Sequence, residues 1–520
     1  MPEKPSRRND RGRERNRGHR STNGSPRGSR QYSAQAPSQR RRTSDPARLA
    51  AFEVLRAVSA DDAYANLVLP RKIRDFRLDK RDAGFATELT YGALRAQGTY
   101  DAILSRNVDR PLKDLDPAVL DALRLGVHQV LAMRVPTHAA LNETVALVRQ
   151  EIGAGPAGLV NAVLRKVSEK PLDGWLTELT ESAPNEAESL GLSHAHPAWI
   201  VRAFKQALTS HGRPESELLE LLEADNEAPV VNLVALPGLG SLEEAESAGA
   251  TPGELVDGSA LWSGGDPARL DSIKSGTVRV QDVGSQLVAR ALADVEVHSA
   301  STVDGTAPTE KWLDMCAGPG GKSALLGAIA AERGAHLSAN EPSAHRAELV
   351  RNALAAVPER AWDVQEKDGQ VFGEETPETF DRILVDAPCT GLGALRRRPE
   401  SRWRRQPSDV GQLIPIQEAL LSSAIQALKP GGVVAYVTCS PHHGETDLVV
   451  QEVLSKLGKD TDLTLLDAPA ALNEVAKVDL AAGNPQATPG EGATAQIWPH
   501  LHHTDGMYLA LIRKNAKESS

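Results

Sequence analysis

Short apolar runs alternate regularly with helical stretches in the C-terminal half of the chain, and few folds accommodate such a pattern. From about residue 311 the runs read KWLDM, HLSANE, RILVDAP and VVAYVTCS, with a helical stretch between each pair. The alternation predicts an α/β Rossmann-like domain over residues 281–515, with a mostly parallel sheet and helices on both faces. MYLALIRK near the end predicts a last, antiparallel strand. In such sheets ligands bind at the carboxyl ends of the strands, where the strand order reverses.

The residues before this region divide into three parts, so the chain is predicted to be multidomain. Asp45-Pro46 offers an N-cap followed by proline, and a series of amphipathic helices then predicts an all-α domain over residues 45–175. Residues 185–280 mix helical and strand patterns with Gly/Pro punctuation, which predicts a small α+β domain that links the other two.

Residues 1–44 form a basic tail that is predicted to be disordered, because it has no apolar stripe. The first 42 residues hold 13 Lys or Arg and three acidic residues, although the net charge of the whole chain is −10. The tail could hold RNA phosphates, or it could only keep the protein in solution. The acidic remainder of the chain would repel a phosphate backbone, and this favours the RNA tether.

Cysteine usage and hydropathy exclude several classes of protein. Only three cysteines occur, at positions 316, 389 and 439, and no CxxC pair is present. We therefore expect neither a disulfide framework nor a structural metal site. The apolar runs are shorter than the ~20 residues of a membrane span, and the N-terminus lacks an apolar signal core. These features predict a cytoplasmic protein without membrane attachment.

The segment LDMCAGPGGKSALLGA is a strand, a glycine-rich turn and a helix, and it fits neither of two familiar nucleotide motifs. A Walker A loop would require glycine where Cys316 stands, and the strict dinucleotide pattern would require glycine in place of Ser323. The loop still allows a ligand to approach the backbone, at a helix N-terminus that favours a carboxylate. A tight strand-to-helix turn without a ligand is the alternative.

Acidic residues follow the next two strands. Glu341 lies about 20 residues beyond the glycine loop, where an acid typically accepts the hydroxyls of a ribose, and Asp368 suits the exocyclic amine of adenine. Either acid alone would be typical of a solvated loop. Acidic residues at consecutive strand ends favour a ligand-binding site instead. S-adenosylmethionine is a nucleoside cofactor with a carboxylate at its other end, so we predict that it is the cofactor.

Several motifs resemble those of one enzyme family. CAGPGGK, DAPCTGLG, RRRPESRW, LKPGGVVAYVTCS and HHTDGMYLALIRK are similar to motifs of the RsmB (Fmu/Sun) group of bacterial RNA cytosine-5 methyltransferases, within the NOL1/NOP2/sun superfamily. RVQDVGSQLVA resembles the segment that precedes the first strand in that group. ELTYGALR, LRLGVHQVLAMRVPTHAALNETV and GLVNAVLRK resemble the NusB-like RNA-binding domain of RsmB-type members. The resemblance covers about residues 45–515.

This resemblance implies a role for each candidate residue. Cys439 would be the nucleophile that adds to carbon 6 of cytosine, Asp386 would support N3 of the base and face the methionine part of the cofactor, and Cys389 would assist product release. The DNA cytosine-5 enzymes attack with a Pro-Cys cysteine, which here would be Cys389, but their Glu-Asn-Val motif is absent. The predicted cofactor-binding residues are Cys316, Ala317, Gly318, Pro319, Gly320, Gly321, Lys322, Glu341, Asp368 and Asp386.

The resemblance implies S-adenosylmethionine-dependent methylation of carbon 5 of a cytosine in RNA, with 16S ribosomal RNA as the expected substrate. The alternatives are the same reaction on transfer RNA, and a NusB-like RNA-binding assembly factor with an inactive methyltransferase domain.

The sequence allows more than one interpretation of two further segments. RRRPESRWRR (396–405) suits either a flipped base with its flanking phosphates or an exposed charged loop, and the histidines at 441–443 and 499–503 are expected in solvated loops rather than at a metal.

Overall fold

The computed structural model describes residues 44–298, 309–485 and 492–516. The predicted basic tail lies outside the described residues except for Ser44, which is buried and whose backbone N–H donates to Gln150. All described residues belong to one compact unit. In these three ranges, no helix is long and apolar enough to cross a membrane.

The N-terminal part is a set of helices around one apolar core, as the helical periodicity predicts. Asp45 and Asp116 each cap a helix by accepting a hydrogen bond from a backbone N–H two residues later, and a proline follows each of them. These caps satisfy amide groups that have no partner within the helix. The helices are α1 (Pro46–Ala60), α2 (Ala65–Asp75), α3 (Lys80–Arg95), α4 (Gln97–Ser105), α5 (Pro117–Leu131), α6 (Thr137–Glu151), α7 (Ala157–Val167) and α8 (Leu172–Glu181).

The middle part combines helices with a small antiparallel sheet, so the predicted α+β class is confirmed. Its sheet has the strand order β2-β3-β1-β4. The run PVVNLVAL contains β1, one of the two inner strands, whose Leu233 and Val234 are fully buried. The elements are α9 (Glu186–Ser193), α10 (Ala198–Ser210), α11 (Leu218–Ala224), β1 (Val231–Ala235), α12 (Glu243–Ser247), β2 (Thr251–Pro252), β3 (Ser259–Trp262), α13 (Asp271–Lys274) and β4 (Val278–Val280).

The C-terminal part is a mixed sheet between helices, which confirms the predicted Rossmann-like class. Its strands run in the order β10-β12-β9-β8-β5-β6-β7, and β11 pairs with β12. Strands β5 to β9 are mutually parallel, whereas β12 pairs antiparallel with β9, as MYLALIRK predicted. The strands are β5 (Lys311–Asp314), β6 (His336–Asn340), β7 (Trp362–Gln365), β8 (Phe380–Asp386), β9 (Leu428–Thr438), β10 (Leu463–Leu465), β11 (Ala495–Ile497) and β12 (Met507–Lys514).

Helices cover both faces of this sheet because its central strands are apolar on both sides. Strand β8 is buried over its first six residues, and β9 is buried from Gly431 to Thr438. The helices are α14 (Val283–Asp294), α15 (Gly321–Glu332), α16 (Ala344–Leu354), α17 (Phe372–Glu375), α18 (Ser401–Arg404), α19 (Pro407–Ala427), α20 (Asp447–Leu457), α21 (Ala468–Val475) and α22 (Pro499–His502). Such two-sided burial is typical of parallel sheets.

Candidate active site

The candidate residues meet at the carboxyl ends of five neighbouring strands. The strand order reverses between β5 and β8, because β6 and β7 continue on one side and β9 on the other. The glycine loop follows β5, and Asp386 ends β8. A ligand at the reversal point would therefore touch both segments.

The glycine loop packs tightly against its protein neighbours at two positions and borders open space at a third. A Cβ atom on Gly318 would lie 2.2 Å from Oε2 of Glu341, and one on Gly320 would lie 2.4 Å from Cβ of Ala353. Gly320 also has a φ of 105°, in the left-handed region, directly before α15. A Cβ on Gly321 would meet no atom within 4 Å. The open approach to the loop is therefore at the N-terminus of α15.

Glu341 is buried beside this loop. Its Oε1 accepts a hydrogen bond of 3.1 Å from the backbone of Ser343, and its Oε2 lies 3.3 Å from the guanidinium of Arg346. Arg346 also donates to the carbonyl of Gly318 over 2.8 Å. Arg346 thus ties the end of β6 to the glycine loop, a role that the sequence analysis did not anticipate.

Asp368 follows β7 and is exposed. It caps a short 3₁₀ helix (Gly369–Val371), because its carboxylate accepts from the backbone N–H of Gln370 over 3.0 Å. The residue that connects it to the other strand ends is Asn340. This buried amide donates to the carbonyls of Met315 and Lys367 and accepts from the N–H of Lys367. Asn340 was also missed by the sequence analysis, because its partners are only brought close by the fold.

Lys322 and Asp386 form an ion pair across the reversal point. Nζ of Lys322 lies 2.8 Å from Oδ2 of Asp386. Burial lowers the pKa of Lys322, but the charge and hydrogen bond of Asp386 outweigh this effect, and its net pKa is raised. Lys322 is therefore a charged group at the centre of the site.

The sulfurs of Cys389 and Cys439 lie 3.5 Å apart, close enough for one thiol to donate to the other. The hydrogen bond from Cys389 lowers the pKa of Cys439, and the charges of Lys322 and Arg398 act in the same direction, against the effects of burial and Asp386. The pKa of Cys389 is raised, first because Cys439 accepts its proton in the hydrogen bond and then because of burial. The pair therefore favours a thiolate at Cys439 and a thiol at Cys389.

Cys316 has a different environment from the other two cysteines. Burial, together with the carboxylates of Asp314, Asp386 and Glu341, raises the pKa of its thiol. Its side chain packs at the edge of the apolar cluster that includes Met315. These surroundings suit a neutral thiol that fills space rather than a nucleophile.

Comparisons with known proteins agree over nearly the whole chain. A family model described as 16S rRNA methyltransferase RsmB/F matches residues 303–513, and a NusB family model matches residues 45–169. The Mycobacterium tuberculosis protein MT1451, which is named as a methyltransferase, is 45% identical over 477 residues, covering 91% of this chain and 98% of that protein. The chain belongs to the RsmB/F methyltransferase family.

One further sequence relative and one solved structure extend this comparison. Ribosomal RNA small subunit methyltransferase B of Klebsiella pneumoniae is 29% identical over 481 residues, covering 90% of this chain and 97% of that protein. The crystal structure of PH0851 has a TM-score of 0.73 at 21% identity, covering 90% of this chain and 99% of that chain. The second likeness concerns the fold alone.

In this RsmB/F-family chain the segment 396–405 connects the parts of the molecule. Glu400 and Arg402 are buried, so the interpretation as an exposed loop is wrong. Arg402 donates to the carbonyls of Ala195 and Asp225 in the middle part. Hydrogen bonds to the helical part come from Trp403, which donates to Leu94, and from Arg404, which donates to Val58, Asp62 and Ala63.

His500 and His502 are not solvated, although His503 between α22 and β12 is exposed, as predicted. His502 is buried and bonds to Trp498 and to the carbonyl of Leu480, while Nε2 of His500 lies 3.0 Å from Glu217. Within the described ranges no group of three or more His, Cys, Asp or Glu is placed to hold a metal ion.

Proposed function

We propose that this chain transfers a methyl group from S-adenosylmethionine to carbon 5 of a cytosine in RNA. The observation that carries the proposal is the pair of sulfurs, 3.5 Å apart, beside the Lys322–Asp386 ion pair. Carbon 5 of cytosine is a weak nucleophile until a thiolate adds to carbon 6. A site for this reaction needs one ionised thiol, an acid near the base edge and a second group for the later proton transfer. The four side chains supply these groups.

The donor set at the strand ends fits S-adenosylmethionine. Its carboxylate would lie at the N-terminus of α15, where the backbone of Gly321 borders open space. Glu341 would accept from the ribose hydroxyls, and Asp368 would accept from the adenine amine. The remaining loop residues 316–320, with Lys322 and Asp386, would surround the methionine part. When bound, the cofactor supplies the methyl group as an electrophile.

The protein groups then divide the reaction between them. The Cys439 thiolate forms a bond to carbon 6, and the electron pair of the C5–C6 double bond moves onto carbon 5, delocalised towards N3, which Asp386 supports. Carbon 5 takes the methyl group, and its proton then passes to water, a transfer that Cys389 assists. Loss of that proton restores the double bond, breaks the sulfur–carbon bond and returns Cys439 to the thiolate. Lys322 holds Asp386 in place and offsets the negative charges that gather at the site.

We propose small-subunit ribosomal RNA as the substrate. This proposal is supported by the name of the Klebsiella relative, by the RsmB/F family model and by the NusB match over residues 45–169. The α+β part and the helical part are packed against the loop that follows Cys389, so the RNA-binding and catalytic regions are held together.

Bisulfite sequencing of ribosomal RNA tests the proposal, because 5-methylcytosine resists deamination. RNA from a deletion strain should lose protection at a cytosine of 16S rRNA. A plasmid carrying the wild-type gene should restore it, and one carrying Cys439→Ala should not. Transfer RNA from the same strains is the control. An identical pattern of protected 16S cytosines with and without the gene would contradict the proposal.

A further inference from the structure

A buried carboxylate joins the two cysteine-bearing loops. Glu445 has no exposed surface and belongs to the short 3₁₀ helix His443–Glu445 that follows Cys439. Its Oε1 accepts from the backbone N–H of Thr390 over 2.8 Å, and its Oε2 accepts from the hydroxyl of Ser440 over 2.7 Å. Thr390 directly follows Cys389 and Ser440 directly follows Cys439. One side chain therefore fixes the residues next to both thiols.

Further hydrogen bonds close this arrangement. The hydroxyl of Thr390 also donates to Oε2 of Glu445, and it lies 3.1 Å from the hydroxyl of Ser440. Gln417 donates to Oε1 of Glu445 and to the carbonyl of Pro388, the residue before Cys389. The hydroxyl of Tyr436 donates to the backbone carbonyl of Glu445 over 2.8 Å. The loops on both sides of the sulfur pair are thus tied to one residue.

The donors to the Glu445 carboxylate are all neutral: one amide N–H, two hydroxyls and one side-chain amide. A buried carboxylate is costly unless such donors surround it. Charge–charge interactions with such a group extend several ångströms in a poorly solvated interior. The charge of Glu445 acts on the Cys389 side of the pair, where it adds to the raised pKa of that thiol. Lys322 and Arg398 act on the Cys439 side.

We propose that Glu445 is the positioning residue that holds the two sulfurs within hydrogen-bonding distance and keeps the proton of the pair on Cys389. This role rests on the proposed function, because it matters to catalysis only if Cys439 is the nucleophile. Glu445 does not touch the RNA or the cofactor in this scheme. It acts through Thr390 and Ser440 on the two thiols. Without the negative charge of Glu445, the pKa values of the two cysteines would lie closer together.

The test measures the two thiols directly in the free protein. Wild-type protein and Glu445→Gln are pulsed with iodoacetamide between pH 6 and 10, and the modified fraction of each cysteine is quantified by mass spectrometry. Both cysteine residues are partly exposed, and iodoacetamide is a small reagent that can approach them. We expect the midpoint of Cys389 to lie above that of Cys439 in the wild type. In Glu445→Gln the two midpoints should approach each other by about one pH unit, a change of about tenfold in relative thiolate population.

Glu452→Gln is the matched control, since Glu452 is an exposed residue of the next helix, α20, and should leave both midpoints unchanged. Melting temperature alone would not identify a positioning role, because any buried substitution can lower it. If Glu445→Gln does not fold, Thr390→Val removes one hydroxyl donor and should bring the midpoints together in the same direction. Equal separation of the midpoints in wild type and in the folded variant would overturn the role of Glu445.

A methylation assay then separates this inference from the proposed function. Glu445→Gln should lower the turnover number by about tenfold or more, with the KM values for RNA and cofactor nearly unchanged. A rise in KM alone would contradict the positioning role. The alkylation measurement needs neither RNA nor cofactor, so its result stands even if the wild-type protein methylates no cytosine. An unchanged alkylation profile would refute the positioning role of Glu445 and leave the methylation proposal unaffected.

Discussion

Replacing Cys389 with alanine removes the thiol that faces Cys439 and leaves the charged groups of the site in place. The hydrogen bond between the sulfurs spans 3.5 Å and is the largest cause of the lowered pKa of Cys439. A hydrogen bond to a charged group contributes about 1.5–3 kcal/mol, and one pKa unit corresponds to about 1.4 kcal/mol. We therefore expect the pKa of Cys439 to rise by about one to two units in Cys389→Ala.

Two effects on the covalent adduct follow from this change. The thiolate fraction of Cys439 at neutral pH falls, so the adduct forms about 10 to 100 times more slowly, and the loss is recovered at higher pH. Once formed, the adduct persists, because Cys389 is no longer present to assist release. Cys389→Ala should therefore accumulate a protein–RNA complex after methyl transfer, and Cys439→Ala should form none.

Denaturing gels with labelled RNA provide the assay. Each variant is incubated with S-adenosylmethionine and RNA from the deletion strain at several pH values, and a shifted band that disappears with RNase marks the adduct. The double variant Cys389→Ala/Cys439→Ala controls for other covalent attachment. An adduct with Cys439→Ala and none with Cys389→Ala would refute the reasoning and make Cys389 the nucleophile.

Three further outcomes can be measured. Glu341→Ala and Asp368→Ala should each weaken S-adenosylmethionine binding in calorimetry by about 1–3 kcal/mol, and unchanged affinity in both would contradict the cofactor placement. Deleting residues 1–42 should lower RNA affinity at low salt and flatten its salt dependence, with single-turnover methylation of bound RNA nearly intact; an unchanged slope would mean that the tail does not contact phosphates. Burial raises the pKa of Asp314 to about 7, whereas the unfolded carboxyl ionises near pH 4, so stability should fall as pH rises between these values. Asp314→Asn should recover up to about 4 kcal/mol of the stability that the wild type loses in this pH range. The melting temperature of the variant relative to wild type should therefore rise more at pH 8 than at pH 5, and an equal difference at both pH values would contradict the raised pKa.

The positions of the strand ends could be predicted from the sequence because each depends on a local pattern. Apolar runs define the strands, and the residues that follow them are brought to one edge of a parallel sheet by the fold class alone. This reasoning places Glu341, Asp386 and Cys439 correctly on neighbouring strand ends. Their chemical roles remain predictions, because they come from the resemblance to a family.

Residues that act through distant partners could not be predicted in this way. Glu445 lies 55 positions from Thr390, with which it forms two hydrogen bonds, and nothing in the segment PHHGE distinguishes it from a solvated acid. The arginine-rich segment misled the analysis for a similar reason. Its charge suggested an exposed loop, but Arg402 is buried and donates to protein carbonyls that come from residues more than 170 positions away.

The segment 396–405 has a consequence for how the molecule folds. Trp403 lies against Gly98, where a Cβ atom would come within 2.4 Å of its ring, and Arg402 has no exposed surface. A fragment that begins at residue 281 would lose these partners. The Trp403 ring would be exposed to water, and Arg402 would no longer have the carbonyls to which it donates. The loop behind Cys389 would then be held at one end only. Although the chain has the sequence of several modules, its catalytic part depends for its own shape on helices encoded more than 200 residues earlier, and it should unfold together with them.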